Sequence, residues 1–201
     1  MRDKILVIAC GAIARELVHI KKLNRWDHIE FQCLPPGLHN KPEQIPLEVK
    51  ARIESQAGLY RKIFVAYGDC GTGGALDKVL DDHGIERIPG AHCYEFFTGS
   101  EKFQNLAEAE PGSFYLTDFL TRHFDRLVIT GLGIDRLPQL KSVYFSNYKR
   151  LVYLAQSDSE ELRTMARQHA ATLELNYEYH NCGSEPLSRV LKPAFNQVKT
   201  Q

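Results

Sequence analysis

Hydrophobic residues in this chain come in short unbroken runs, and stretches of helical period lie between them. The runs ILVIA (5–9), KIFVA (62–66), LVIT (127–130) and RLVYLA (150–155) have the apolar, β-branched character of buried strands, and IEFQCL (29–34) and IERI (85–88) read as two further strands. Helices are predicted over 12–23, where Ile13, Leu17 and Ile20 share a face, and over 46–59, 75–82, 94–109, 137–148 and 158–173, with a last one starting at Pro186. Ser157 or Asp158 caps the 158–173 helix, with Glu160 and Glu161 in its first turn. LELNYEY (173–179) alternates and reads as an edge strand, and FYLTDFL (114–120) fits either a strand or a helix start. Strand and helix therefore take turns, with glycine at strand ends. The pattern predicts an α/β fold: an open, doubly wound, mostly parallel sheet with helices on both faces, Rossmann-like. Each half opens with a buried strand and a glycine turn, which suggests two similar lobes. The expectation is one domain over 1–191 and a flexible tail over 192–201.

Composition narrows the classes of function. A chain of 201 residues with 43% hydrophobic content can bury a full core. Lys+Arg and Asp+Glu both number 25, so a nucleic-acid partner is not expected. The apolar run after Met1 is too short for a membrane span, so no membrane partner is expected either. Five cysteines without a secretory signal point to a reduced, cytoplasmic setting in which each is a thiol, a ligand or a nucleophile.

The chemistry gathers at predicted strand ends. Cys10 ends the first strand, His39 lies in the PPGLHN loop after the second, Cys70 lies in GDCGTGG after the third, and His92-Cys93 follow the fourth. Parallel strands deliver their carboxyl ends to one edge, so these groups should share a crevice. Thiolate and imidazole are zinc ligands, which makes Cys10, Cys70, His92 and Cys93 a candidate metal site for zinc or, with thiolates alone, an iron–sulfur cluster. His39, Asp69, Glu95 and Asp118 are the acid–base candidates. Gly71, Thr72, Gly73 and Gly74 fit the turn that brings backbone N–H groups to a phosphate or to S-adenosylmethionine at a helix amino terminus. Against that reading, the next strand ends in Ile88-Pro89-Gly90 and lacks an acidic residue for the ribose; Glu95 could substitute only by reaching back from its helix. The loop reads better as a holder for Cys70, with the helix dipole lowering its pKa. Cys33, inside its strand, reads as core, and His19, His28, His83 and His169 read as solvated. His180 and Cys182 offer a further donor pair.

ACGA (9–12), LPPGLHNKPE (34–43), YGDCGTGG (67–74), GAHCYEFFTG (90–99), FYLTDFL (114–120) and YFSNYKRLVYLAQ (144–156) resemble the bacterial and archaeal family catalogued as domain of unknown function 1638. The resemblance spans almost the whole chain. Members of that family tend to be encoded near corrinoid-dependent methyltransferases, so it implies a one-carbon setting with a corrinoid protein or methyltransferase as partner. Three functions follow. The first is a metal-binding protein, as a metal-dependent transferase or hydrolase acting on a small molecule. The second is a transferase binding S-adenosylmethionine or a nucleotide, and the third is a non-catalytic protein that docks a corrinoid protein.

Overall fold

In the computed structural model, which describes residues 3–196, the chain forms two compact units. The first comprises residues up to Cys93 together with those from Leu187 onward, and the second runs over Tyr94–Pro186. Each unit has its own wholly parallel sheet, so the α/β reading holds with two sheets in place of one.

The first unit contains β1 (Ile5–Cys10), α1 (Ala14–Asn24), β2 (Ile29–Leu34), α2 (Ile45–Gln56), β3 (Lys62–Ala66), α3 (Ala75–His83) and the two-residue β4 (Glu86–Arg87). Strand β1 is buried along its whole length because it lies inside the sheet, whose order is β2-β1-β3-β4. The chain passes from β1 outward to β2, then back across β1 to β3. With right-handed crossovers this sends α1 to one face and α2 and α3 to the other, where those two pack together. The gap between the carboxyl ends of β1 and β3 is therefore a topological switch point, the place where such sheets bind ligands. Cys33 is exposed and not core as expected, because β2 is an edge strand with partly open faces.

The second unit contains α4 (Glu95–Thr98), α5 (Ser100–Ala109), β5 (Ser113–Thr117), α6 (Asp118–Arg122), α7 (Leu140–Phe145), β6 (Arg150–Ala155), α8 (Glu160–Leu173) and β7 (Asn176–Asn181), with sheet order β5-β6-β7. The FYLTDFL stretch is both of its alternatives, a strand that turns into a helix at Asp118. The helix expected over 94–109 breaks at Gly99, whose φ of 78° leaves the helical region. The expected strand LVIT is instead a π-helical turn over Asp125–Ile129, closed by Thr130 N–H donating to the Asp125 carbonyl at 2.7 Å. Its apolar run serves the core from a helical turn: Val128 is buried among Leu116, Phe124, Ile134 and Phe145. Ser159, not Ser157 or Asp158, caps α8, its hydroxyl accepting from the Leu162 N–H at 3.3 Å. His169, expected in solvent, is half-buried and stacked on Phe124 with ring centroids 4.0 Å apart.

The last helix, α9 (Glu185–Asn196), carries the chain back into the first unit, where Phe195 meets Trp26 and Phe64 edge to face at 5.1 and 5.6 Å. Residues 192–196, expected in a flexible tail, continue this helix, and the rest of that expected tail lies outside the described residues. Among the described residues no helix is long and apolar enough to cross a membrane.

Candidate functional site

Two loops at the switch point build the site. The first, residues 67–74, leaves β3. The second, residues 88–93, leaves β4. They are zipped together by Asp69 N–H donating to the Gly90 carbonyl at 3.0 Å and Cys70 N–H donating to the Ala91 carbonyl at 2.8 Å. Gly68 permits this approach, since a β-carbon there would stand 3.0 to 3.1 Å from the His92 backbone. Arg87 fixes the second loop from behind. Its guanidinium pairs with both Asp77 oxygens at 2.6 and 2.9 Å and donates to the Ile88 and Gly90 carbonyls at 2.8 and 3.3 Å.

Asp69 organises the first loop from within. Its carboxylate accepts from the Thr72 hydroxyl at 2.7 Å and from the N–H groups of Gly73 and Gly74 at 3.1 and 2.8 Å. The glycine N–H groups that a phosphate would use are thus already engaged by the chain's own carboxylate. Those bonds, Gly74 first, hold the Asp69 pKa below its usual value. Asp69→Ala should cost about 1–3 kcal/mol in urea unfolding at pH 7 through the lost loop bonds. The sign in acid follows from linkage: a depressed folded-state pKa contributes stability above the unfolded carboxyl pKa, and that contribution is lost as pH falls through the folded one. The gap between wild type and Asp69→Ala should therefore narrow below about pH 4. A gap unchanged at pH 3 is the result that would count against it.

The loop turns at Cys70 itself, whose φ of 51° is rare for a side-chain-bearing residue. This turn brings Cys70 Sγ to 3.3 Å from Cys93 Sγ. The Cys93 hydrogen bond is the main influence lowering the Cys70 pKa. Burial opposes it, and His92, the Cys93 N–H and the His39 imidazole assist, leaving the thiol at about 5. Cys93 moves the other way, raised by the proton it shares with Cys70 and by burial. The N–H groups of Gly73 and Gly74 just ahead of α3 point to Asp69 and those of Ala75 and Leu76 to Thr72, so the helix amino terminus expected to activate Cys70 gives these bonds to its own loop.

Cys10 is buried beside this pair. Desolvation pushes its thiol up to about 11, only partly offset by the Ala12 N–H that its sulfur accepts at 3.4 Å. His39 sits in a 3-10 turn, Pro36–Asn40, that closes on the end of β1 because Gly11 lacks a β-carbon, which would stand 2.9 Å from the Leu34 carbonyl oxygen. Desolvation among protein atoms lowers the His39 pKa, although the residue as a whole is exposed. Cys10, His39, Cys70, His92 and Cys93 therefore share one neighbourhood, the edge to which their places at predicted strand ends assign them. Among the described residues, no group of three or more His, Cys, Asp or Glu side chains is placed to hold a metal ion.

Glu95 and Asp118 belong to the second unit. Asp118 is buried at 3% exposure. Its carboxylate accepts from the Tyr153 hydroxyl at 2.7 Å, the Gln156 N–H at 3.0 Å and the Ser157 hydroxyl, and its own N–H donates to the Gln156 side chain at 2.8 Å. These bonds tie the carboxyl ends of β5 and β6 together. Arg150 ties their other ends through Glu178, Ser113 and the Leu106 carbonyl at 2.6 to 2.7 Å. His180 and Cys182 also lie in the second unit, where His180 pairs with Glu178 at 2.6 Å.

Sequence reading misses Tyr67. It is 2% exposed, and its hydroxyl has no hydrogen-bond partner of normal geometry, although it lies close enough to Cys10, Cys70 and Cys93 for them, after burial, to raise its pKa. The available signal was a phenol closing an otherwise apolar strand, KIFVAY, just before the cysteine loop. A hollow of about 580 Å³ bordered by Ile53, Tyr60, Arg61, Lys62, His83 and Glu86 lies at the amino-terminal ends of β3 and β4, opposite the thiols, with Lys62 and Glu86 paired at 2.6 Å.

Fold and site together define a parallel α/β protein with a dithiol at the switch point of its amino-terminal sheet. The chain belongs to the family described as "Protein of unknown function (DUF1638)", whose model matches residues 33–191. No curated protein matches it.

Proposed function

We propose that this protein works through Cys70 as a thiolate nucleophile that takes up an electrophilic group from a small molecule. The observation that carries the reading is the 3.3 Å approach of Cys93 Sγ to Cys70 Sγ. His92, His39 and the Cys93 N–H all favour the ionised form of Cys70, whereas Cys93 stays protonated. A thiolate is also the kind of acceptor that methyl transfer needs, in keeping with the one-carbon setting that the family resemblance implies.

The test is the pH profile of iodoacetamide alkylation, read by peptide mapping. Cys70 should reach half its maximal rate near pH 5. Exposed Cys33, whose pKa burial of its sulfur raises, is the reference thiol within the same chain. Burial of Cys70 slows the absolute rate but leaves the midpoint in place. A midpoint above about 8, the ordinary thiol range, overturns the reading.

A second reading, zinc held by Cys70 and Cys93 with Cys10 and His39 or His92, is favoured by the mutual electrostatic influence of these groups. It requires the side chains to close in on the ion. Stoichiometric zinc in purified protein, released by mutation of Cys70 and protecting it from alkylation, would establish it. Its absence after zinc is supplied would dismiss it.

A further inference from the structure

We infer that Cys70 and Cys93 form a redox-active dithiol that a small hydroperoxide converts into an intramolecular disulfide. The inference rests on the reading of Cys70 as the nucleophile, and assigns Cys93 the role of the thiol that resolves the oxidised state.

Proximity comes first. The two sulfurs stand 3.3 Å apart although 23 residues separate them in sequence. A disulfide needs about 2.05 Å, so they must close by roughly 1.2 Å, a displacement within reach of side-chain rotation. The backbone around them is already registered for it. The hydrogen bonds from Asp69 to Gly90 and from Cys70 to Ala91 hold the two loops side by side, and Arg87 anchors the second loop to α3. No strand or helix of the first unit has to move.

Access selects the oxidant. Cys70 is only 5% exposed, which leaves little room for a bulky disulfide to align with its sulfur, whereas hydrogen peroxide is barely larger than water. The second observation is Tyr67, whose buried hydroxyl beside the three thiols has no hydrogen bond of normal geometry, only its approach to Cys10, and can turn to donate to an oxygen delivered there.

The chemistry balances in two steps. The Cys70 thiolate attacks one peroxide oxygen; the S–O bond forms, the O–O bond breaks, and the leaving hydroxide takes a proton to become water. Cys70 is then a sulfenic acid, oxidised by two electrons, and the peroxide has been reduced by two. The Cys93 sulfur next attacks Cys70 Sγ. The S–S bond forms, the S–O bond breaks, and the second hydroxide leaves as water with the Cys93 proton. Two thiols and one hydrogen peroxide give one disulfide and two waters. A small thiol reductant restores the pair by exchange. Cys10 stays out of the cycle, because burial keeps it a thiol in spite of the N–H it accepts from Ala12.

The experiment treats the full-length reduced protein with one equivalent of hydrogen peroxide, quenches with iodoacetamide and maps tryptic peptides. Cys70 and Cys93 fall in separate peptides, 63–78 and 88–102, so a link between them is unambiguous. The expected result is a Cys70–Cys93 link at least tenfold faster than any oxidation of exposed Cys33, and its loss on adding dithiothreitol. In Cys93→Ser, Cys70 should accumulate as a sulfenic acid that dimedone labels. Oxidation of Cys33 ahead of the pair, or a wild-type Cys70 that proceeds to the sulfinic acid without a link, overturns the inference. If alkylation shows a low-pH Cys70 thiolate while peroxide gives no link, the inference fails and the nucleophile reading stands. If the low-pH thiolate itself is missing, that reading fails.

Discussion

Asp118→Ala is expected to cost the second unit about 3–5 kcal/mol, read as a fall in the far-UV circular dichroism midpoint in urea. The carboxylate is 3% exposed and is the acceptor for the Tyr153 hydroxyl, the Gln156 N–H and the Ser157 hydroxyl. Alanine leaves the first two without an acceptor in the interior, at about 1–3 kcal/mol each, while the Ser157 hydroxyl can turn toward water. Asp118→Asn keeps one acceptor oxygen and should lose roughly half as much. The single tryptophan, Trp26, lies in the first unit, so its fluorescence provides a separate readout of that unit. A loss under about 1 kcal/mol for the alanine variant would mean that these bonds are not what ties β5 to β6.

Gly68→Val should separate the thiols. The new β-carbon would stand 3.0 to 3.1 Å from the backbone of His92, and backbone cannot swing aside as a flexible side chain can. The loops must part, breaking the bonds at Asp69 and Cys70, at a cost of about 2–4 kcal/mol in urea. The effect on Cys70 depends on pH in a way that tests the cause. With the thiol at about 5 in the wild type and back near ~8.5 in the variant, the thiolate fraction at pH 6 falls roughly 300-fold. A more basic thiolate is more nucleophilic, by roughly 25- to 50-fold for this difference, so the net loss in alkylation rate is about tenfold. At pH 9 both forms are largely ionised and the order reverses, the variant reacting faster. Rate profiles that fail to cross would show that the Gly68→Val change acted through access and not through the thiolate.

Local pattern alone determined the strand-helix alternation, and with it the parallel sheets and the arrival of Cys10, Cys70, His92 and Cys93 at one sheet edge. The reason is geometric: buried parallel strands need continuous apolar runs and right-handed crossovers, and both are local or near-local properties. The switch point between β1 and β3 follows only from the sheet order β2-β1-β3-β4, which the fold supplies. Local pattern failed where an apolar run serves a core by another route. LVIT packs Val128 inward from a π-helical turn, and nothing in three apolar residues and a threonine distinguishes that from a short strand. It failed again at Cys33, because whether a strand lies at the edge depends on sheet order.

The chemistry of the site was decided by tertiary structure. The DCGTGG turn matches an anion-binding loop, yet its glycine N–H groups answer to Asp69, which only the folded loop can show. Cys70 owes its ionised form to Cys93 and His92, held beside it by hydrogen bonds between two loops and by a missing β-carbon at Gly68. Tyr67 follows the predicted strand KIFVA with no role legible in the sequence, and only the fold sets its hydroxyl among three sulfurs. Asp118 looked like an acid–base group at a strand end, and the fold has spent its carboxylate on joining two strands. Residue type and spacing determine which groups can reach one edge; hydrogen bonds between segments distant in sequence determine which of them keep a free lone pair or proton.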